Sequence, residues 1–270
     1  MIFNHLTMNN SFISLKKCIG SLLFFIALTL LLPTTGFSQE TAATKLEKWP
    51  SDLERDFALS ALPPHLRAGA TVYLLEPAKG YYIAKKGTNG FICYIERTSW
   101  EWGEFRKDLA APISYDAEGA KTIFRVTMDV AAMRASGKLT AKQIRDIVTD
   151  RIRKGIYKAP ARSGLSYMLA PVMRVYPNYP PDNKIVTAQM SHYMFYAPYL
   201  NNNDIGGDTT KGPFVNNPGN AILGDRKGPY GFMIMPTGKA EQAKIIKDEA
   251  KLLERLAAYK SYFKASPMDM

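Results

Sequence analysis

The chain has 270 residues, 46% of them hydrophobic, and its 35 Lys and Arg exceed its 24 Asp and Glu, which gives a formal charge of +11. The basic residues are scattered, without a run of five, so we predict no nucleic-acid partner. An excess of positive charge favours contact with anionic components of a cell envelope instead.

The N-terminal segment, residues 1–38, has the layout of an export signal. Lys16 and Lys17 precede an apolar run of about 14 residues, 19–32, and small residues follow as far as Ser38. A stable transmembrane helix needs roughly 20 residues. We therefore interpret the segment as a signal peptide cleaved after Ser38 and not as a membrane anchor.

The remaining residues, 39–270, are predicted to form a single α+β domain. Cleavage removes two lysines and no acid, so the formal charge falls from +11 to +9. Cys93 is then the only cysteine, which excludes an intramolecular disulfide. No linker and no internal repeat divides this part of the chain. We expect a bacterial protein that is exported to the periplasm or outside the cell.

The first half of this domain predicts a helix, three strands and a helical hairpin. Ser51 and Glu54 have the spacing of a capping box at the start of a helix. Thr140 and Gln143 have the same spacing at the start of the second hairpin helix. Turn residues between the strand-like segments favour three antiparallel neighbours. The predicted elements are a helix at 51–62, strands at 70–76, 80–86 and 91–97, and helices at 117–137 and 140–155.

The second half predicts strands at 164–173, 190–198 and 230–236 and an amphipathic helix at 240–263. Because strands and helices do not alternate strictly, we predict an α+β fold with a mainly antiparallel sheet. The segment 199–229 has 31 residues, of which 18 are Asn, Asp, Gly or Pro. Loops of this length are usually functional or mobile, so we expect a site there.

Four segments of the chain resemble an uncharacterised family of exported bacterial proteins. They read LPPHLRAGATVYLLE, GTNGFICYIER, YDAEGAKT and HYMFYAPYLNNNDIGG, and the resemblance covers most of residues 59–236. No activity is established for that family, so the resemblance implies export and a single domain without a mechanism. It also implies a cysteine just before the YDAEG segment in relatives, where this chain has Ser114.

Met190, His192 and Met194 occupy alternate positions of the segment QMSHYMFYAP. Alternate side chains of a strand share a face, and thioether and imidazole ligands suit cuprous copper, so these residues are a candidate metal site. Alternate residues lie about 6.7 Å apart, however, which separates the two methionines by about 13 Å. Methionines that fill an irregular core are the competing interpretation.

A hydrolase is a second alternative. His192 would act as general base, Asp204 or Asp208 would orient it, and Ser166 or Cys93 would be the nucleophile. Ser166 lacks the surrounding G-x-S-x-G elbow, and Cys93 lies in an apolar strand pattern typical of a buried thiol. Our leading hypothesis is therefore a non-catalytic domain that binds a ligand or partner at the sheet end carrying His192 and at the loop 199–229. The residues specify no cofactor and no individual partner.

Overall fold

The fold is built on a large sheet with helices on both faces. The computed structural model describes residues 44–210, 212–224 and 227–264, which belong to one compact unit. The predicted signal peptide lies outside the described residues. The strands are β1 Thr71–Glu76, β2 Gly80–Lys85, β3 Ile92–Glu96, β4 Ala111–Tyr115, β5 Leu165–Met168, β6 Met173–Val175, β7 Val186–Ala188, β8 His192–Tyr196, β9 Phe214–Asn216 and β10 Phe232–Pro236. The helices are α1 Ser51–Leu59, α2 Pro64–Arg67, α3 Ala117–Ala135, α4 Ala141–Arg153, α5 Asn202–Ile205, α6 Gly219–Leu223, α7 Lys239–Asp248 and α8 Ala250–Tyr259, with a 3-10 turn at Ser261–Phe263.

Eight strands form one sheet in the order β2-β1-β3-β4-β5-β8-β10-β9, and β6 pairs with β7 in a small second sheet. Every neighbouring pair of the large sheet is antiparallel except β1 and β3. The predicted α+β fold with a mainly antiparallel sheet is thus confirmed. No helix among the described residues is both long and apolar enough to cross a bilayer.

The predicted meander of three antiparallel strands is wrong for β3. After β2, the chain crosses over the start of β1 and enters β3 on the far side, parallel to β1. The backbone N–H of Thr88 donates to the carbonyl oxygen of Gly69 across this crossing, at 2.7 Å. A Cβ added to Gly87 would lie 2.2 Å from the same oxygen, so the crossing requires glycine there.

The two faces of the sheet bury separate cores. Helix α3 covers one face, and α1 and α8 cover the other. The α3 side includes Tyr94, Tyr115, Phe124, Met194 and Ile234. The opposite side includes Phe57, Val72, Cys93, Ile95 and Leu256. Helix α4 packs on α3 as the predicted hairpin, around a third cluster that contains Trp100, Val130 and Tyr157.

The two predicted capping boxes have different outcomes. Thr140 and Gln143 form theirs at the start of α4, whereas Ser51 is already inside α1, which follows Pro50. Glu54 turns away from its own helix because its carboxylate accepts a hydrogen bond from the backbone N–H of Leu75, at 2.9 Å. This buried contact fixes α1 against β1.

The C-terminal helical segment is two helices. The backbone at Glu249, with φ −100° and ψ 17°, separates α7 from α8. Only α8 buries side chains of the predicted apolar stripe deeply, namely Leu252 and Leu256. Ile245 and Ile246 of α7 remain half-buried.

Two predicted strands are shorter than expected, and three strands, β4, β7 and β9, were missed. The segment 164–173 is divided into β5 and β6 around Pro171, which cannot donate to a ladder. The segment 190–198 becomes a strand only at His192. Strand β4 contains Pro112, which weakens its sequence signal. Because β5 pairs only with the end of β4, at Ser114 and Tyr115, Pro112 has a single neighbouring strand.

Candidate functional site

His192 is a buried side chain at the start of β8, with 6% of its surface exposed. Its Nδ1 lies 2.7 Å from the carbonyl oxygen of Met190. Burial lowers the pKa of His192, and the Met190 carbonyl opposes that shift. A neutral imidazole that donates Nδ1–H to Met190 fits this arrangement. The ring is therefore held in place by the backbone, and no carboxylate is hydrogen-bonded to it among the described residues.

The three candidate metal ligands do not all lie on one strand. Met194 is in β8 and contributes to the core under α3, whereas Met190 lies in the connection between β7 and β8 and is partly buried. Met190 precedes β8, whose pairing with β5 begins at His192, but it packs against the same core cluster as Met194. Among the described residues, no group of three or more His, Cys, Asp or Glu is placed to hold a metal ion. The copper site, which would use methionine sulfur, stays a prediction.

The three residues of the predicted triad have separate partners. Ser166 is fully buried, and its hydroxyl donates to the carbonyl oxygen of Ser114 at 2.5 Å. Asp204 caps α5 together with Asn201 and forms an ion pair with Lys227, and these bonds lower its pKa. Ser166, His192 and Asp204 all lie in the described part of the chain, and no hydrogen bond joins any two of them. The hydrolase stays a prediction that this geometry does not favour.

The loop 199–229 is more structured than its composition indicated, since it contains α5, β9 and α6. It leaves the sheet just after Tyr196, at the opposite end of β8 from His192. His192 and Tyr196 are four residues apart on an extended strand, so about 13 Å separates them. The expectation that His192 and the whole loop share one sheet end is therefore wrong. Only the part of the loop near Gly212 reaches the His192 end, where it packs against Pro236.

A pocket of about 670 Å³ opens between this loop and the end of α4. This volume is in the range typical of small-ligand sites. The lining contains three cationic side chains, two tyrosines and several apolar groups, and no acidic residue is found among its described members. The lining residues are Ile152, Arg153, Gly155, Tyr157, Lys158, Ala159, Tyr199, Leu223, Lys227 and Pro229. We call this the loop pocket.

The charge of the loop pocket is only partly neutralised. Lys227 pairs with Asp204, but Arg153 and Lys158 have no ion-pair partner in the part of the chain that the structure describes. Both of these side chains are exposed. A concave surface with unpaired cations has a positive potential that attracts anions.

Tyr157 is a fixed polar group of the loop pocket wall. Its hydroxyl donates to Asp129 at 2.7 Å and accepts a hydrogen bond from Arg151 at 2.6 Å. Burial and the bond to Asp129 raise the pKa of Tyr157 to about 12, so the phenol is neutral at physiological pH. The hydroxyl of neighbouring Tyr230 is buried and has no hydrogen-bond partner among the residues that the structure describes. Burial raises the pKa of Tyr230 as well, and the nearby Tyr157 and Tyr199 contribute to the shift.

Tyr199 has an unusual backbone conformation, with φ +62°, the only positive φ of a non-glycine residue in the described part of the chain. A bulky residue rarely adopts this left-handed conformation, which costs about 1 to 3 kcal/mol. Its N–H donates to the carbonyl oxygen of Gly228 at 2.9 Å, which ties together the two ends of the loop. The side chain is nevertheless 53% exposed.

A second pocket, of about 770 Å³, lies beside residues 44–47 and 105–108. Its lining contains both cationic and anionic side chains. Arg106 pairs with Asp108, and Lys260 pairs with Glu47, so much of its charge is satisfied within the protein. Lys45 and Lys107 of this lining have no ion-pair partner among the described residues, so the second pocket differs from the loop pocket by its acidic residues Glu47 and Asp108 and not by a lack of unpaired cations.

Comparison with known proteins assigns this chain to no family. No family model, curated protein or solved structure matches this chain. The resemblance to exported bacterial proteins thus stays a prediction, and function is inferred from the chain's own geometry.

The sequence predicted one wall of the loop pocket and missed the other. The length and composition of 199–229 pointed to the loop itself. Arg153 and Lys158 were missed because they lie at the end of α4 and just after it, far from the loop in sequence, and form no run of charges. Tyr199 opens this Asn-rich segment, but no sequence pattern predicts its positive φ, because a bulky residue rarely adopts it.

Proposed function

We propose that this protein is an exported, non-catalytic binding domain whose loop pocket takes a small anion with an apolar group. The observation that carries the proposal is a pocket of about 670 Å³ with apolar and aromatic walls, in which Arg153 and Lys158 have no ion-pair partner from the described part of the chain. Cations would pair with the anionic group of the ligand, and Ile152 and Leu223 would contact its apolar part.

The polar wall would fix the orientation of such a ligand. Tyr157 is held by Asp129 and Arg151, so little side-chain entropy is lost when it contacts a bound molecule. The export part of the proposal is supported by the charge and apolar pattern of residues 1–38. His192 has no role in this function because it lies at the other end of β8.

Hexyl phosphate is a suitable probe because it combines an anion with a short apolar chain. Isothermal titration calorimetry should show saturable binding of hexyl phosphate and at least tenfold weaker binding of inorganic phosphate or hexanol. The double variant Arg153→Gln/Lys158→Gln should weaken hexyl phosphate binding by at least tenfold, since each charged hydrogen bond contributes about 1.5 to 3 kcal/mol.

The matched control is Lys121→Gln/Lys251→Gln, which removes two exposed lysines from other helices. This control should bind hexyl phosphate as tightly as the original protein. Equal weakening in both double variants would show a nonspecific effect of net charge and would contradict the proposal. Absence of any saturable binding would contradict it as well.

A further inference from the structure

The rim of the loop pocket carries unusually exposed apolar side chains. Tyr199 is 53% exposed and Ile156 is 50% exposed, the two largest values among the large hydrophobic residues in the described part of the chain. Tyr199 lines the loop pocket, and Ile156 lies between Gly155 and Tyr157, which also line it. Tyr199 therefore exposes its side chain at the opening, and Ile156, which is not a lining residue itself, exposes its side chain immediately beside residues that line it.

Cations flank both of these side chains. Arg153 and Lys158 lie within three residues of Ile156, and Lys227 lines the same opening as Tyr199. Isolated apolar side chains surrounded by lysine and arginine are the arrangement with which proteins bind anionic membranes, because the apolar groups enter the headgroup region and the cations contact lipid phosphates. A tyrosine suits such a boundary, since its ring is apolar and its hydroxyl remains in water.

We propose that the rim of the loop pocket docks on an anionic lipid surface, with Ile156 and Tyr199 inserted between headgroups and Arg153 and Lys158 on phosphate groups. This inference rests on the proposed function, because the same pocket would receive the anionic headgroup or part of one lipid. The charge complementarity argues for lipid as the occupant, because Arg153 and Lys158 have no ion-pair partner among the described residues and an anionic bilayer has the opposite sign.

Co-sedimentation with vesicles tests the docking. The protein should sediment with vesicles of phosphatidylcholine that contain phosphatidylglycerol and should remain in solution with pure phosphatidylcholine. Binding should fall as salt is raised, because salt screens exposed charges. Arg153→Gln/Lys158→Gln should weaken the partition about tenfold, and Ile156→Ser/Tyr199→Ser should weaken it comparably.

Tyr82 and Ile83 on β2 provide the control, since they are 40% and 45% exposed and lie away from the loop pocket. Tyr82→Ser/Ile83→Ser should sediment like the original protein. Circular dichroism should show that all variants remain folded, because every replaced side chain is exposed. If the β2 variant loses binding to the same degree, or if pure phosphatidylcholine binds equally well, the proposed surface is wrong.

The two proposals can fail separately. Hexyl phosphate binding without vesicle binding would overturn the lipid-surface inference and retain the ligand pocket. Vesicle binding that persists in both rim variants would also overturn the inference, since another surface would then be responsible. Failure of hexyl phosphate and of vesicles together would overturn both.

Discussion

The carboxylate of Glu54 and the backbone N–H of Leu75 are hydrogen-bonded at 2.9 Å inside the protein, between α1 and β1. Glu54 is only 1% exposed. Burial raises its pKa from 4.5 to about 7, although the bond from Leu75 and the charge of Arg97 oppose the shift. The acid is therefore a titrating group within the core at physiological pH.

The stability of the protein should fall as pH rises from about 5 to about 7. Between those values the folded state binds more protons than the unfolded state, because the folded pKa of Glu54 is the higher one. A shift of this size corresponds to at most about 3 kcal/mol. Burial, with the nearby charge of Glu101, also raises the pKa of Glu96 to about 7. The ionisation of Glu96 therefore lowers the stability further over the same pH range.

Glu54→Gln keeps an acceptor for Leu75 and removes the ionisation. Urea unfolding midpoints measured from pH 5 to pH 8 should decrease less steeply in Glu54→Gln than in the original protein. Glu254→Gln, at an exposed position of α8, should retain the original slope. Identical slopes in all three proteins would show that Glu54 does not titrate in this range.

His192→Ala should lower the free energy of unfolding by about 1 to 3 kcal/mol, because the buried imidazole and its hydrogen bond to the partly buried Met190 carbonyl are both lost. Cuprous copper under reducing conditions should leave the melting temperature of both proteins unchanged. A copper-dependent rise that disappears in His192→Ala would instead establish the metal site, since a ligand of the native state stabilises it.

Cys93 should resist alkylation in the native protein and react rapidly in urea. The thiol is fully buried, and burial raises its pKa to about 12, so very little thiolate forms. Iodoacetamide labelling followed by mass spectrometry measures both rates. Equal rates with and without urea would return Cys93 to the set of candidate nucleophiles.

Cys93 and Ser114 lie directly opposite each other on β3 and β4. Ser114→Cys should consequently form a disulfide with Cys93 on oxidation and stabilise the protein by about 3 kcal/mol through loop closure. Thiol titration and thermal melting check this result. Ser166→Cys is the control, since Ser166 pairs with Tyr115 and lies on the other face of the sheet. Cross-linking in the control and not in Ser114→Cys would contradict the register.

Replacing Tyr199 by glycine should be less destabilising than replacing it by alanine. Glycine adopts φ +62° without the contact between Cβ and backbone that alanine keeps, and the difference should be about 1 kcal/mol in favour of glycine. Urea unfolding of the two variants measures it. A more stable alanine variant would mean that the left-handed backbone is not retained.

The sequence predicted contacts between residues that are close in the chain, but not contacts between residues that are distant in it. Thr140 and Gln143 interact within one helical turn, so their spacing alone predicted the cap. Glu54 has the same spacing from Ser51, yet its partner is Leu75, which only the packing of α1 on the sheet brings near. For the same reason the sequence pointed to the loop 199–229 but not to Arg153, which reaches the loop pocket through the packing of α4.

The crossing of residues 86–91 over the start of β1 limits the order in which the sheet can assemble. Hairpin β1–β2 is local and can form by itself, but β3 can align beside β1 only after the chain has passed over Gly69. Contacts between residues that are far apart in the chain form more slowly than contacts between near neighbours. The hairpin is therefore expected to precede β3 during folding, and Gly87→Ala should obstruct the later step, because its added methyl would meet the Gly69 carbonyl as β3 arrives.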